Sequence, residues 1–149
     1  MDVRAVAGLA DTMLPPGTKG RPFGIDEISL GKVASSGASV LDGGFAMPLM
    51  VLKASALQRN AETMSRYCAA HGVSLAPHGK TTMSPQLFQR QFEAGAWALT
   101  AATPAHLQVY RRFGIERILY ANELVEPSVI AWLAQELLST FGDDLGKVS

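Results

Sequence analysis

The chain reads as an α/β protein: the N-terminal half of a (β/α)8 TIM-type barrel, preceded by an irregular N-terminal arm. Three observations predict it. From Met47 onward, short apolar runs alternate with stretches whose apolar residues recur at helical spacing. Pro85, Pro104 and Pro127 each open a helix, dividing the chain into strand–helix units of about twenty residues, a length suited to parallel crossovers. Neither Gly-x-Gly-x-x-Gly nor Gly-x-x-x-x-Gly-Lys-Ser/Thr follows a strand, which favours a barrel over a dinucleotide-binding sheet.

In chain order, residues 1–46 form the arm. Leu14 to Pro22 and Ser35 to Ala38 are rich in turn formers and lack periodicity, with a short helix expected before Leu14. Residues 47–141 are the barrel segment. Met47–Leu52 is a continuous apolar run, as expected of a strand buried on both faces. Ala54–His71 follows as a helix with Leu57, Ala61, Met64 and Cys68 on one stripe and Gly72 at its end. Val73–Ala76 is the next strand. Ser84-Pro85 starts a helix carrying Leu87, Phe88 and Phe92 and closed by Gly95. Ala96–Ala101 is a strand. The helix opened by Thr103-Pro104 turns Leu107 and Tyr110 inward and stops at Gly114. Arg117–Ala121 is the last strand, and Pro127 opens a helix whose buried face is Val129, Ile130, Leu133, Leu137 and Phe141. Trp97 and Tyr120 read as core aromatics. Residues 142–149 are expected to be a truncated or disordered tail.

Four strands are expected here, whereas a closed barrel needs eight, typically over ~250 residues. Half a barrel exposes strand edges and one apolar sheet face. The reading is therefore a fragment of a longer protein, in preference to a half that pairs with a partner.

Composition narrows the function classes. Of 149 residues, 48% are hydrophobic and 17% charged, which suits a globular domain. Lys plus Arg equals Asp plus Glu at 13 each, and no basic stripe appears, so neither nucleic acid nor an anionic membrane is an expected partner. The single cysteine, Cys68, excludes an internal disulfide and reads as a buried, inert thiol. No signal peptide or membrane-spanning run is visible, so a cytoplasmic location is expected.

The chemistry concentrates in Val73–Pro85, where Pro77-His78-Gly79-Lys80 links a strand to a helix. Lys80 thus falls at the C-terminal edge of the sheet, where ligands bind in α/β folds. Position alone suits either a solvated loop charge or an amine held for chemistry. Partial burial would lower the amine's pKa and make Lys80 a nucleophile suited to Schiff-base formation. His78 suits proton transfer, stacking on a flat ring, or a structural hydrogen bond, and Gly79 either close approach of a ligand or a simple turn. His71 reads as a polar helix end, and both His71 and His106 as exposed helix positions with no ligand partner at metal spacing.

Pro77-His-Gly-Lys80-Thr81 before a Ser-Pro helix start resembles the pyridoxal-phosphate lysine motif of the D-threonine aldolase and D-serine dehydratase group, in the alanine racemase-like barrel class (fold-type III). The resemblance continues through Phe92–Thr103 and Ile118–Asn122, covering roughly residues 45 to 135. Within the group the chain looks most similar to proteins described as amino acid deaminases. The resemblance implies that Lys80 is the Schiff-base lysine and moves the proton at the substrate Cα. It implies that His78 and Thr81 surround the cofactor, pyridoxal 5'-phosphate. Thr103 and Asn122 would lie at neighbouring strand ends, Thr103 also serving as an N-cap. The implied function is a lyase acting on a small D- or β-hydroxy amino acid by dehydration and deamination or by aldol cleavage. Non-catalytic pyridoxal-phosphate binding, as in the smallest relatives, is the alternative, and an inactive truncated fragment the third reading. Complete members often pair as homodimers. Their catalytic divalent metal is held by His and Cys near the far end of the chain, so no metal site is assigned here. The chain departs from the pattern at Ala76, where many members have Arg, and at Thr82-Met83, where His-Lys is common. Both departures bear on the substrate subgroup.

Overall fold

A computed structural model describes residues 1–145, with side chains through Thr140. The arm begins as expected with a short helix, α1 (Val3–Ala7), and a 3-10 turn over Gly8–Asp11. Asp2 caps α1 by accepting hydrogen bonds from the Arg4 and Ala5 N–H groups, satisfying two otherwise orphaned donors. The rest of the arm is a second 3-10 turn over Leu30–Lys32 and loops tied to one another: Leu14 N–H donates to Ile28 O at 2.9 Å, Leu30 N–H to Thr12 O at 2.8 Å, and Phe23 N–H to Gly44 O at 2.9 Å. The arm docks through its first residues, where Asp2 N–H donates to Phe113 O at 2.8 Å and Met1 packs against the main core.

Four longer helices follow: α2 (Ala54–His71), α3 (Pro85–Glu93), α4 (Pro104–Arg112) and α5 (Pro127–Leu145). Pro85, Pro104 and Pro127 each stand first in their helix, where a missing N–H costs no bond. α2 ends at Gly72 with φ 62°, and Val73 N–H returns to Cys68 O, the expected left-handed helix stop.

The strands are shorter than the apolar runs. β1 (Leu99–Ala101) and β2 (Ile118–Tyr120) pair in parallel, with Leu99 opposite Ile118 and Ala101 opposite Tyr120. On the other side of β1, the extended segment 75–79 joins through a parallel bridge between His78 and Thr100. Trp97 N–H donates to Leu75 O and Thr100 N–H to Pro77 O, each at 2.8 Å. The result is a small parallel sheet in the order 75–79, β1, β2.

Side chains alternate across a strand, so one face receives Leu99, Ala101, Ile118 and Tyr120. That face packs on the helices, where Phe88, Leu99, Ala101, Leu107, Tyr110 and Ile115 form the buried core. Phe92, Trp132 and Leu133 pack around it. Arg111 ties α4 to α5, its Nε 2.9 Å from Glu136 Oε2 and its Nη2 2.8 Å from Thr140 Oγ1.

Several expectations need correction. Met47–Leu52 forms no strand and, apart from the half-buried Leu49, is exposed, with Met50 at 86%; a two-faced apolar run becomes a buried strand only with a strand paired on each side, and no described strand pairs with it. No residue of α2 is buried: Leu57, Ala61 and Cys68 are half-covered and Met64 is exposed. Cys68 is therefore not the fully buried thiol expected. Trp97 is 52% exposed, its ring faced by the Arg117 guanidinium at 5.7 Å, and it precedes the stretch of β1 that pairs with β2. α5 turns Val129, Trp132, Leu133 and Glu136 inward and leaves Ile130 and Leu137 outside. The helix is apolar nearly all round, so its period did not single out one face. The expected burial of Phe141 lies outside the described side chains. Among the described residues, no helix is long and apolar enough to cross a membrane.

Candidate active site

The lysine loop is built on the free end of segment 75–79. Pro77 and His78 pair along β1, Gly79 N–H donates to Thr100 O at 3.3 Å, and the chain then turns away. Met83 N–H closes the turn onto Gly79 O at 3.0 Å, with Lys80, Thr81 and Thr82 between them. Met83 has φ 44°, a left-handed conformation that costs a side-chain-bearing residue about 1–3 kcal/mol. It is held there by packing of the half-buried Met83 side chain against the core. Ser84 stands at the N-cap of α3, yet its hydroxyl donates to Gln86 Oε1 and makes no cap bond.

Lys80 is exposed, as are His78 and Thr81. The expected partial burial of the lysine does not occur, since no described element crosses over the loop. Its position is nonetheless specific. Because all three strands run parallel, Lys80, Thr103 and Asn122 all leave the sheet at one edge, each two residues beyond a paired position. Asn122 links two strand ends, its Nδ2 donating to Ala102 O at 3.4 Å and its Oδ1 accepting from Glu123 N–H. Thr103 occupies the N-cap of α4, but its side chain makes no cap bond, so its hydroxyl is exposed at the sheet edge. The cap role expected of Thr103 is met by position only.

The strand register places His78 level with Thr100 and Leu119, so these three share the sheet face opposite the helix layer. His78 and Leu119 are exposed on that face. An open cleft of about 980 Å³ lies between α2 and α3, lined by Leu57, Cys68, Leu75 and Gln91, with His78 and Thr82 on its wall. This cleft is a gap in the helix layer, and Lys80 is not on its wall.

His106 is half-buried where an exposed position was expected, because its Nδ1 accepts the Ala102 N–H at 3.3 Å. His71 stays exposed at the end of α2, bonded to Tyr67 O and stacked on the Tyr67 ring. Among the described residues, no three His, Cys, Asp or Glu side chains converge as a metal site would need.

Two residues supporting the loop were not singled out from sequence. Thr100 is 2% exposed, and its hydroxyl donates to Ala76 O at 2.5 Å, fastening segment 75–79 to β1. Tyr110 is fully buried beneath Gly79, and its hydroxyl donates to Thr100 O at 3.2 Å. The available signal was the pairing of a buried-face tyrosine with a glycine that precedes the lysine.

Over part of its length the chain is similar to known proteins. D-threonine aldolase from Arthrobacter sp. is 30% identical over 88 residues, covering 59% of this chain and 23% of that enzyme. Over this stretch the chain is similar to the D-threonine aldolases. 3-Hydroxy-D-aspartate aldolase from Paracoccus denitrificans is 32% identical over 89 residues, again 23% of its length. Among solved structures, D-threonine aldolase from Filomicrobium marinum superposes with a TM-score of 0.60 at 29% identity, over 64% of this chain and 26% of that one. A variant of D-threo-3-hydroxyaspartate dehydratase in its metal-free form superposes with a TM-score of 0.56 at 31% identity, over 61% of this chain and 24% of that one. The matched region spans about a quarter of each relative's length. No protein-family model matches the chain. The resemblance expected from the lysine motif is thus borne out.

Proposed function

We propose that this chain is the N-terminal part of a pyridoxal-phosphate-dependent lyase acting on a D- or β-hydroxy amino acid, with Lys80 as the amine that binds the cofactor. The observation that carries the reading is Lys80 at the C-terminal edge of a parallel sheet, in a chain related to two aldolases of D-configured hydroxy amino acids. The proposal includes the other half of the barrel, a division of the chain near residues 46 and 141, a cytoplasmic location and a homodimer of the complete protein.

The donor set suits this cofactor. An exposed primary amine can condense with an aldehyde carbon, and the Thr81 and Thr103 hydroxyls and the Asn122 amide offer hydrogen bonds to oxygen atoms at the same edge. His78 presents a flat ring on the adjoining face, suited to stacking on another. The bound cofactor would supply an electron sink for the bond broken at the substrate Cα. In dehydration, Lys80 would take the Cα proton and pass it to the departing β-hydroxyl, which would leave as water. In aldol cleavage the β-hydroxyl would give up its proton as the Cα–Cβ bond breaks and the Cβ fragment leaves as an aldehyde, and Lys80 would return a proton to Cα.

The test is covalent. The uninterrupted gene product is incubated with pyridoxal phosphate, reduced with borohydride and digested, and mass spectrometry locates the pyridoxyl group. A label on Lys80, lost in Lys80→Ala, is the expected result. A label distributed over surface lysines would falsify the assignment. Release of ammonia or of an aldehyde from D-hydroxy amino acids then separates dehydratase from aldolase, and release of neither favours a cofactor-binding protein.

A further inference from the structure

The residue before the lysine sits in a space with no room for a side chain. A Cβ built on Gly79 would lie 2.5 Å from Tyr110 Oη, 2.8 Å from Phe88 Cε1 and 3.0 Å from Leu99 Cδ2. All three neighbours are fully buried, and Tyr110 is braced edge-on against Phe88 with ring centroids 5.2 Å apart, so none can give way cheaply. The Tyr110 hydroxyl is also bonded into the strand junction. It donates to Thr100 O, and that same oxygen accepts the Gly79 N–H. Thr100 in turn fastens Ala76 and Pro77 through its hydroxyl and its N–H. A tyrosine on α4 therefore fixes both the depth and the register of the peptide from which Lys80 departs.

We infer that Tyr110 is a positioning residue for Lys80: its ring and hydroxyl close beneath Gly79 and hold the lysine's backbone at one height over the sheet edge. Tyr110 acts through Gly79 and Thr100 and touches no reactant. The inference rests on the proposed role of Lys80, and the experiment keeps the two separable.

Tyr110→Phe keeps the ring and removes only the hydroxyl, and it is compared with the parent protein in the full gene product. The first readout needs no cofactor: amide hydrogen exchange over residues 79–83. Tyr110→Phe is expected to speed exchange there roughly tenfold while leaving the α5 amides unchanged, because a local opening and not global unfolding is affected. The second readout is the cofactor concentration giving half-maximal borohydride labelling of Lys80, expected to rise roughly tenfold when the lysine is misplaced by a fraction of an ångström. A double-mutant cycle supplies a signature that general destabilisation does not produce. Gly79→Ala is expected to harm labelling less in the Tyr110→Phe background than alone, since the closest clash is with the hydroxyl. Unchanged exchange and unchanged labelling in Tyr110→Phe overturn the inference, as does strict additivity in the cycle. If the parent protein carries no label on Lys80, the proposed function fails, and the exchange data still decide whether Tyr110 holds the loop. Should Tyr110→Phe not fold, Gly79→Ala alone decides: normal exchange and normal labelling in that variant show that the contact does not constrain the lysine.

Discussion

The helix layer differs sharply from one side of the sheet to the other. Over β1 and β2, α3 and α4 bury Phe88, Leu107 and Tyr110 almost completely. Beyond segment 75–79, α2 runs for 18 residues without burying one, and an open cleft separates it from α3. Both sides have amphipathic helices, so sequence pattern alone does not explain the contrast. In a βα layer each helix lies over two adjacent strands. α4 has β1 and β2 beneath it, whereas α2 lies beyond the last paired segment, 75–79, and the run 47–52 that precedes it in the chain forms no strand. Helix burial is thus set by the strands beneath, and the candidate site stands at the boundary between the closed side and the open one.

The largest effect is expected on the closed side, from loss of the Phe88 ring. Phe88→Ala opens a cavity under Gly79 and is expected to cost about 3–5 kcal/mol by chemical denaturation; a cost near zero would mean that the closed side is not the stabilising one. Next comes pH. Burial holds the Tyr110 phenol above its ordinary value of 10.0, partly opposed by the nearby Gly79 backbone. The unfolded chain loses this proton first, so the stabilisation is complete below the unfolded value and is lost as the pH rises through the higher folded one. Denaturation midpoints should therefore fall above about pH 10, and less steeply in Tyr110→Phe. The Arg111–Glu136 pair is partly exposed, at 24% and 32%, and a double-mutant cycle should give only about 0.2–1 kcal/mol, weaker at high salt. On the open side, Met50→Ser is expected to move stability by no more than about 0.5 kcal/mol. A larger loss there would show that run 47–52 is covered in solution.

Much of the closed side was legible because its signals are local. Proline at a helix start and a left-handed glycine at a helix end act within one turn, and α3, α4 and α5 begin at Pro85, Pro104 and Pro127 as these signals require. Inward-facing Phe88, Leu107 and Tyr110 followed from their spacing alone. Illegible features depend on partners distant in sequence. Whether Met47–Leu52 pairs is decided by what lies beside it, and an apolar run carries no record of that. The faces of α5 were ambiguous because Ile130 and Leu137 are as apolar as Trp132 and Leu133. Of the site, the lysine and its loop could be read from Pro77 to Pro85. Its supports, Thr100 and Tyr110, lie 20 and 30 positions further along and meet Gly79 only once the sheet forms.

The crowding beneath Gly79 also has a consequence for anyone wishing to retune such an enzyme. A saturation library at position 79 would be nearly barren, since every replacement carries at least the methyl group for which there is no vacancy. Thr82 and Thr103 are exposed on the same edge with no comparable obstruction. Adaptive change in substrate range, by laboratory selection or by natural drift, should therefore accumulate around the lysine and not immediately before it.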